Sequence, residues 1–212
     1  MQSAHDYITK TESAVRKLFD EIDTYLQVLR ASPVPIFVTS TPLGTEFDAE
    51  FEAWAAKHKA QNDAAAEARR HFLAESFALD TLCGALLQVA EKALECYSTN
   101  TSIPSSLTAV VKQGKAKFCV GRLVRGVPLG LVVYAARNQH THFNDGSLHE
   151  PSATVFERLT TAHEHAATSP FRDQAFDLNN PGIISYAANV TALLGWRDYH
   201  TYCADLRTTL GI

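Results

Sequence analysis

The sequence predicts an all-α fold, a helical bundle with long antiparallel helices. From about Ser3 to Arg30, apolar residues recur every three or four positions between charged residues, which is the spacing of an amphipathic helix. From Phe72 to Tyr97 the same spacing gives a wider apolar face, so we expect this segment to be the central core helix. Ile36-Phe37-Val38 is the one β-like tract in the sequence, and no sheet is predicted.

Proline, glycine and turn residues divide the rest of the chain. Pro33 to Gly44 is predicted to be an extended connector, because proline disfavours helix in the residue before it and lacks an amide hydrogen. Phe171 to Asn180 has turn chemistry and is predicted to be an ordered loop. Further helices are predicted from Thr45 or Asp48 through Arg70, from Ser105 or Ser106, over Val127–His142, from Pro151, from Asn180-Pro181 through Leu194, and over Trp196–Leu210.

The domain organisation expected from this pattern is one core with an N-terminal addition. Residues 1–44 would form a helix and a proline-containing connector that pack on the bundle, and residues 45–212 would form the main helical bundle. A chain of 212 residues is long enough to bury such a core without disulfides or a structural metal.

Composition narrows the functional classes. The four cysteines are scattered and form no CxxC pair, the N-terminus lacks the pattern of a secretory signal, and the longest apolar run, Val127–Ala136, has about half the length of a membrane span. We therefore expect a cytoplasmic protein with no membrane partner. Phosphate-binding loops, dinucleotide fingerprints, GxSxG elbows and HExxH helices are absent from the sequence.

Charge is unevenly distributed along the chain. The net charge is −4, yet no acidic residue occurs between Glu95 and Asp145. A basic patch on an otherwise acidic protein can orient an anionic ligand such as RNA. Alternatively, these cations are solvated helix positions whose acidic partners come from elsewhere in the fold. The candidate substrate-binding cations in this segment are Lys112, Lys115, Lys117, Arg122 and Arg125.

This basic segment leads into Arg137-Asn138-Gln139-His140-Thr141-His142, which combines three groups useful for RNA cleavage. An imidazole can take a proton from a ribose 2′-hydroxyl near neutral pH. A guanidinium can hold two phosphate oxygens and stabilise developing charge. An amide can orient either group. His140 is a further candidate for contacting substrate.

The motif Arg137-Asn138-x-x-x-His142 resembles the Arg-polar-x-x-x-His motif of HEPN domains, helical bundles found in prokaryotic toxins and antiphage ribonucleases. The resemblance implies a metal-independent endoribonuclease without a cofactor, whose two motif copies form one site across a homodimer. It implies Arg137 as the phosphate binder, His142 as the general acid/base and Asn138 as the orienting residue, with an antitoxin as a possible protein partner.

Two other interpretations remain open at this point. The motif can be a degenerate one, in a non-catalytic helical module that serves dimerisation or interaction. The clustered histidines His140, His142, His149, His163 and His165 can instead contribute to a transition-metal site together with Asp145, Glu150 or Glu164. A His-x-His pair on a helix points about 200° apart, which disfavours a shared metal ion unless the pair lies in a loop.

Overall fold

The computed structural model describes residues 3–145, 147–162 and 171–212 and is predominantly helical, which confirms the predicted all-α class. A single antiparallel strand pair occurs in the described residues, β1 (Leu123–Val124) with β2 (Val127–Pro128). Two short 3-10 helices cover Ser105–Leu107 and Gln113–Phe118. The α-helices are α1 (Ala4–Arg30), α2 (Thr45–Lys57), α3 (Lys59–Ala74), α4 (Ser76–Tyr97), α5 (Leu129–Thr141), α6 (Ser152–Thr161), α7 (Ala187–Leu193) and α8 (Tyr199–Leu210).

The chain forms two compact units. The large unit contains the residues up to Asp20 together with Leu79–Ile212, and the small unit contains Glu21–Ala78. This division differs from the boundary at residue 44 that the connector suggested, because α1 and α4 each contribute residues to both units. A boundary drawn from composition falls in a loop, whereas here the boundaries fall within long helices.

The core of the large unit surrounds α5. All residues from Leu129 to Ala136 are buried, and α5 packs against α6, α7 and the 3-10 helix Gln113–Phe118. A helix that is apolar on every side belongs in the interior. The sequence pattern predicted that residues 72–97 form the central helix. Helix α4 does contribute buried leucines to the core, but α5 is the helix whose residues 129–136 are buried on every side.

A tight hairpin precedes α5, where the sequence predicted helix from Val127. Val127 instead pairs with Val124, and Arg125 (φ 47°) and Gly126 (φ 76°) occupy the turn with positive φ at both positions. Two consecutive residues with positive φ are typical of a two-residue hairpin turn. Helix α5 therefore begins only at Leu129.

The predicted helix from Asn180-Pro181 is also shorter than expected, because α7 begins only at Ala187. The preceding backbone is paired by the buried side chain of Gln139, whose Nε2 donates to the Ile184 carbonyl (2.9 Å) and whose Oε1 accepts from the Tyr186 amide (2.9 Å). The side-chain amide of Gln139 thus forms the hydrogen bonds that these two backbone groups would otherwise form within a helix.

The small unit departs from prediction at two helix breaks. The predicted continuous helix over residues 45–70 is interrupted at His58, whose Nδ1 lies 2.9 Å from the Trp54 carbonyl oxygen, and the predicted helix 72–97 begins only after Glu75. The connector is free of helix and strand between residues 33 and 42, as predicted. No single described helix has the length and apolar character of a membrane span, although α3 and α4 taken together pass that test.

Candidate active site at the end of α5

Arg137 lies in the third turn of α5 and is held by neutral groups. Its Nε donates to Oε1 of Gln88 on α4 (2.7 Å), and its Nη1 donates to Oδ1 of Asn138 (3.3 Å). Asn138 in turn donates from Nδ2 to Oγ of Ser152, the first residue of α6 (3.3 Å). In the described part of the chain no carboxylate forms an ion pair with Arg137, so its guanidinium is oriented without being neutralised by a bonded acid.

His142 forms the C-cap of α5, where its amide donates to the Asn138 carbonyl (2.9 Å). Its Nδ1 lies 2.8 Å from Oδ2 of Asp145, and its side chain is 52% exposed. A carboxylate accepting from Nδ1 selects the tautomer in which Nε2 carries the free lone pair. The imidazole is thus oriented with its basic nitrogen available to a ligand.

Glu91 is a buried carboxyl beside this arrangement, one helical turn after Gln88 on α4. It is 5% exposed, and its Oε2 has no hydrogen-bond partner among the described residues. Burial raises the pKa of Glu91, the charge of Glu95 raises it further, and Lys92 and Arg137 oppose these effects. Because a buried carboxylate without a partner is costly, the fold favours the protonated form of Glu91.

His140, a predicted substrate contact, faces the interior instead. Its Nδ1 lies 2.9 Å from Oγ of Ser185, and its ring lies so close to Gly84 of α4 that a Cβ built there would be 2.2 Å from two ring atoms. Burial lowers the pKa of His140. This residue therefore packs between α4 and α5, which disfavours the predicted contact with substrate, and that contact stays a prediction.

Arg122 was a predicted substrate-binding cation, but it is engaged by an acid from α8. It forms two bonds to Asp205, from Nε to Oδ1 (3.1 Å) and from Nη2 to Oδ2 (3.0 Å), and Nη2 also donates to the Leu194 carbonyl (2.6 Å). Asp205 accepts a further bond from the indole Nε1 of Trp196 (2.9 Å). The acidic partner lies 83 residues away in the sequence, which matches the interpretation that such partners come from elsewhere in the fold.

Arg125 is engaged in the same way at the hairpin. Its Nη1 lies 2.7 Å from Oδ2 of Asp173, it donates to the Leu159 carbonyl, and its guanidinium carbon lies 4.8 Å from the ring centroid of Phe176. These carboxylate contacts disfavour Arg122 and Arg125 as substrate-binding cations, and that role stays a prediction. Both guanidinium groups instead hold loops of the large unit in place.

The three lysines of the basic segment have different surroundings. Lys112 is exposed, while the ammonium of Lys115 lies 4.5 Å from the ring centroid of Tyr134 on α5. Lys117 donates from Nζ to the Glu95 carbonyl at the end of α4 (2.9 Å). Only Lys112 thus retains the solvated position expected of a phosphate contact, within the described residues.

Sequence reasoning found Arg137, Asn138 and His142 but not the residues that orient them. Gln88 and Ser152 lie on other helices, so no local spacing connects them to the motif. Asp145 was considered only as a metal ligand, although its position three residues after His142 at a helix end is a usable signal for an oriented imidazole.

The metal interpretation has no support from the described residues, among which no group of three or more His, Cys, Asp or Glu side chains is placed to hold an ion. His163, Glu164 and His165 lie outside the described residues, so the part of the prediction that concerns them stays open.

Comparison of the chain with protein-family models, curated proteins and solved structures finds no match. Any assignment of function therefore rests on the geometry at the end of α5.

Proposed function

We propose that this chain is a HEPN-like, metal-independent endoribonuclease that acts on RNA as a homodimer. The supporting observation is that the end of α5 carries a guanidinium oriented by neutral amides and an exposed imidazole oriented by a carboxylate. These are the two groups that phosphodiester cleavage by an internal hydroxyl requires.

Among the four arginines Arg122, Arg125, Arg137 and Arg172, Arg137 is the one for which the described residues supply no bonded carboxylate. Arg122 and Arg125 are paired with carboxylates, and Arg172 is paired with both Glu157 and Asp177. A guanidinium already bonded to a carboxylate gains little from a phosphate, whereas one held by amide oxygens keeps its charge for an incoming anion. Arg137 is therefore the arginine of this group best suited to bind a phosphate.

The reaction that these groups support consists of one displacement at phosphorus. Nε2 of His142 takes the proton from a ribose 2′-hydroxyl, and the 2′-oxygen forms a bond to the adjacent phosphorus while the bond from phosphorus to the 5′-oxygen breaks. Arg137 stabilises the charge on the phosphate oxygens. A protonated imidazole gives its proton to the leaving oxygen, so the products carry a 2′,3′-cyclic phosphate and a 5′-hydroxyl.

One copy of the chain supplies one imidazole, whereas the reaction uses a base and an acid. Two copies related by a two-fold axis would present two copies of the end of α5 to one phosphodiester. The proposal therefore includes a HEPN-like bundle with antiparallel helices, dimerisation through the α5 end, and a role as a toxin or defence nuclease with a protein such as an antitoxin as a possible partner.

The decisive experiment is RNA cleavage in the presence of EDTA. Wild-type protein should cut, His142→Ala should lose about 10²–10⁴-fold in rate, and Arg137→Ala about 10²–10³-fold. Asp145→Asn should reduce the rate less, because it disturbs only the orientation of the imidazole. Mass spectrometry of the fragments should detect 2′,3′-cyclic phosphate and 5′-hydroxyl ends.

Matched controls separate these roles from a general loss of charge. His200→Ala and Arg69→Ala remove an exposed histidine and an exposed arginine from other helices and should leave the cleavage rate unchanged. Equal rates for wild type, His142→Ala and Arg137→Ala would overturn the proposal, since any activity would then come from another site or a contaminant.

A non-catalytic interaction module is the second candidate, and one observation favours it. Within one copy, the described side-chain hydrogen bonds of Arg137 are to Gln88 and Asn138, while that of the His142 ring is to Asp145, so none of these bonds joins the guanidinium to the imidazole. In this case Arg137 would serve to connect α4 with α5. Arg137→Ala would then lower the free energy of unfolding, and the wild-type protein would cut no RNA.

A further inference from the structure

The connector of the small unit has a regular alternation of exposure. Val34, Ile36 and Val38 are 69%, 80% and 83% exposed, and the residues between them are partly buried. A period of two is the pattern of an extended strand, in which alternate side chains point to opposite faces. The three outward positions of this segment are therefore β-branched apolar residues, which favour pairing with another strand.

The opposite face is anchored by Phe37. Its ring centroid lies 5.6 Å from that of Phe47, 5.3 Å from that of Phe51 and 5.4 Å from that of Trp54, all on α2. After the valines, Thr39 and Thr41 both donate hydroxyl hydrogens to Oε2 of Glu50 on the same helix. The segment is thus fixed to α2 along one side, and this leaves the apolar side outward.

The two edges of the segment differ in their capacity for hydrogen bonding. In an extended chain, residues that share a face also point their backbone groups to the same edge. Pro33 and Pro35 share an edge with Phe37 and lack amide hydrogens, so that edge is a poor template for pairing. The other edge carries the complete amides and carbonyls of Val34, Ile36 and Val38, and none of these groups has a backbone partner among the described residues.

The sequence of this edge is symmetric. Reading Val34-x-Ile36-x-Val38 in either direction gives the same order of side chains. An antiparallel pair of identical strands centred on Ile36 places Val34 opposite Val38 of the second copy and Ile36 opposite itself. All three positions then exchange both backbone hydrogen bonds, and the β-branched side chains meet as cross-strand pairs on one face.

We propose that the segment from Val34 to Val38 is a homotypic docking edge, which pairs antiparallel with the same segment of a second copy of this chain. The two-fold symmetry of the edge and its proline-blocked opposite side select an identical strand over an unrelated one. Five residues per copy is a small fraction of the roughly 20–30 residues per side of a standard interface, so the pairing is reversible and depends on protein concentration. It does not involve Arg137 or His142, so it can fail or hold independently of the nuclease proposal.

Sedimentation equilibrium of the wild-type and variant chains tests this edge. The weight-average mass should rise with concentration, from one chain towards two, or from two chains upward if the α5 ends already pair, and this additional rise should depend on Ile36 and not on Arg137 or His142. Ile36→Lys should weaken self-association by about tenfold or more, because two ammonium groups then face each other on the two-fold axis. Leu43→Lys is the matched control, since Leu43 is 86% exposed in the same unit but lies outside the symmetric segment, and it should associate like wild type.

Disulfide trapping provides a second, independent measurement. In a Cys96→Ser background, which removes an exposed native thiol, Ile36→Cys should form a covalent dimer under mild oxidation, because directly opposed Cα atoms in such a pair lie about 5.5 Å apart, within disulfide range. Leu43→Cys in the same background should not. A wild-type chain that stays monomeric at all concentrations, or self-association that Ile36→Lys leaves unchanged, would overturn the proposal and assign the edge to a different partner or to none.

Discussion

Helices α5 and α2 have the same length of thirteen residues but are stabilised in different ways. In α5 every residue from Leu129 to Ala136 is buried, whereas α2 has no buried residue. The buried helix contains glycine, two valines and a tyrosine, which are weak helix formers, and α2 is rich in alanine and glutamate, which are strong ones. Tertiary packing therefore maintains α5, while local propensity and the aromatic contacts of Phe37 maintain α2.

The largest expected change in the free energy of unfolding comes from a substitution that faces the packed side of α5. Gly84→Ala introduces a Cβ that would lie 2.2 Å from the His140 ring, so we expect the free energy of unfolding to fall by about 3 kcal/mol in urea titrations. Gly114→Ala, where a Cβ meets nothing within 4 Å, should change it little. Adding His140→Ala to Gly84→Ala should restore part of the loss, and no recovery would mean that the ring is not the obstacle.

A smaller loss in the free energy of unfolding is expected when a partly buried ion pair is broken, and none when an exposed pair is broken. Asp205→Ala removes the carboxylate that accepts from Arg122 and from the Trp196 indole, leaving Arg122 with the Leu194 carbonyl alone among its described acceptors, and we expect a loss of about 2 kcal/mol in the free energy of unfolding. The control is Asp23→Ala in the small unit, which breaks an exposed pair with Arg30 and should have no measurable effect. Similar losses for both variants would contradict the contrast between the two units.

The next prediction concerns the aromatic contacts that hold α2. Phe37→Ala removes three ring contacts, at a local cost of about 1 kcal/mol or slightly more. Hydrogen exchange should become faster at the amides of α2 and stay unchanged in α5, because α5 depends on a different set of contacts. Faster exchange in both helices would mean that the two units do not unfold separately.

The smallest expected change in stability depends on pH and comes from the buried carboxyl of Glu91. Burial raises the pKa of its carboxyl in the fold, so protonation stabilises the native state, and this stability is lost as the pH rises from the unfolded value through the folded one. Glu91→Gln cannot ionise. The variant should therefore gain stability relative to wild type as the pH increases from the acidic range towards neutrality, as measured by thermal or urea unfolding. A difference that is constant across this range would mean that Glu91 ionises normally in the fold.

The sequence alone predicted the elements that are determined by residues close to one another in the chain. The helix predicted over residues 3–30 is α1 (Ala4–Arg30), and the connector at 33–44 is free of regular structure up to residue 42 because prolines act on their immediate neighbours. The motif at Arg137, Asn138 and His142 was likewise visible, since its three residues lie within two helical turns. Their roles in catalysis stay predictions.

What the sequence determined by itself is the helical class, the course of α1, the proline-containing connector and the presence of an Arg-polar-x-x-x-His motif at the end of α5. Only the tertiary structure decided which cations are bonded to a carboxylate: Arg122 meets Asp205 and Arg125 meets Asp173, while the described partners of Arg137 are the amide oxygens of Gln88 and Asn138. The reason is physical. Helical periodicity and proline act over a few residues, whereas an ion pair or a hydrogen bond between helices depends on chain segments that only packing brings within 3 Å.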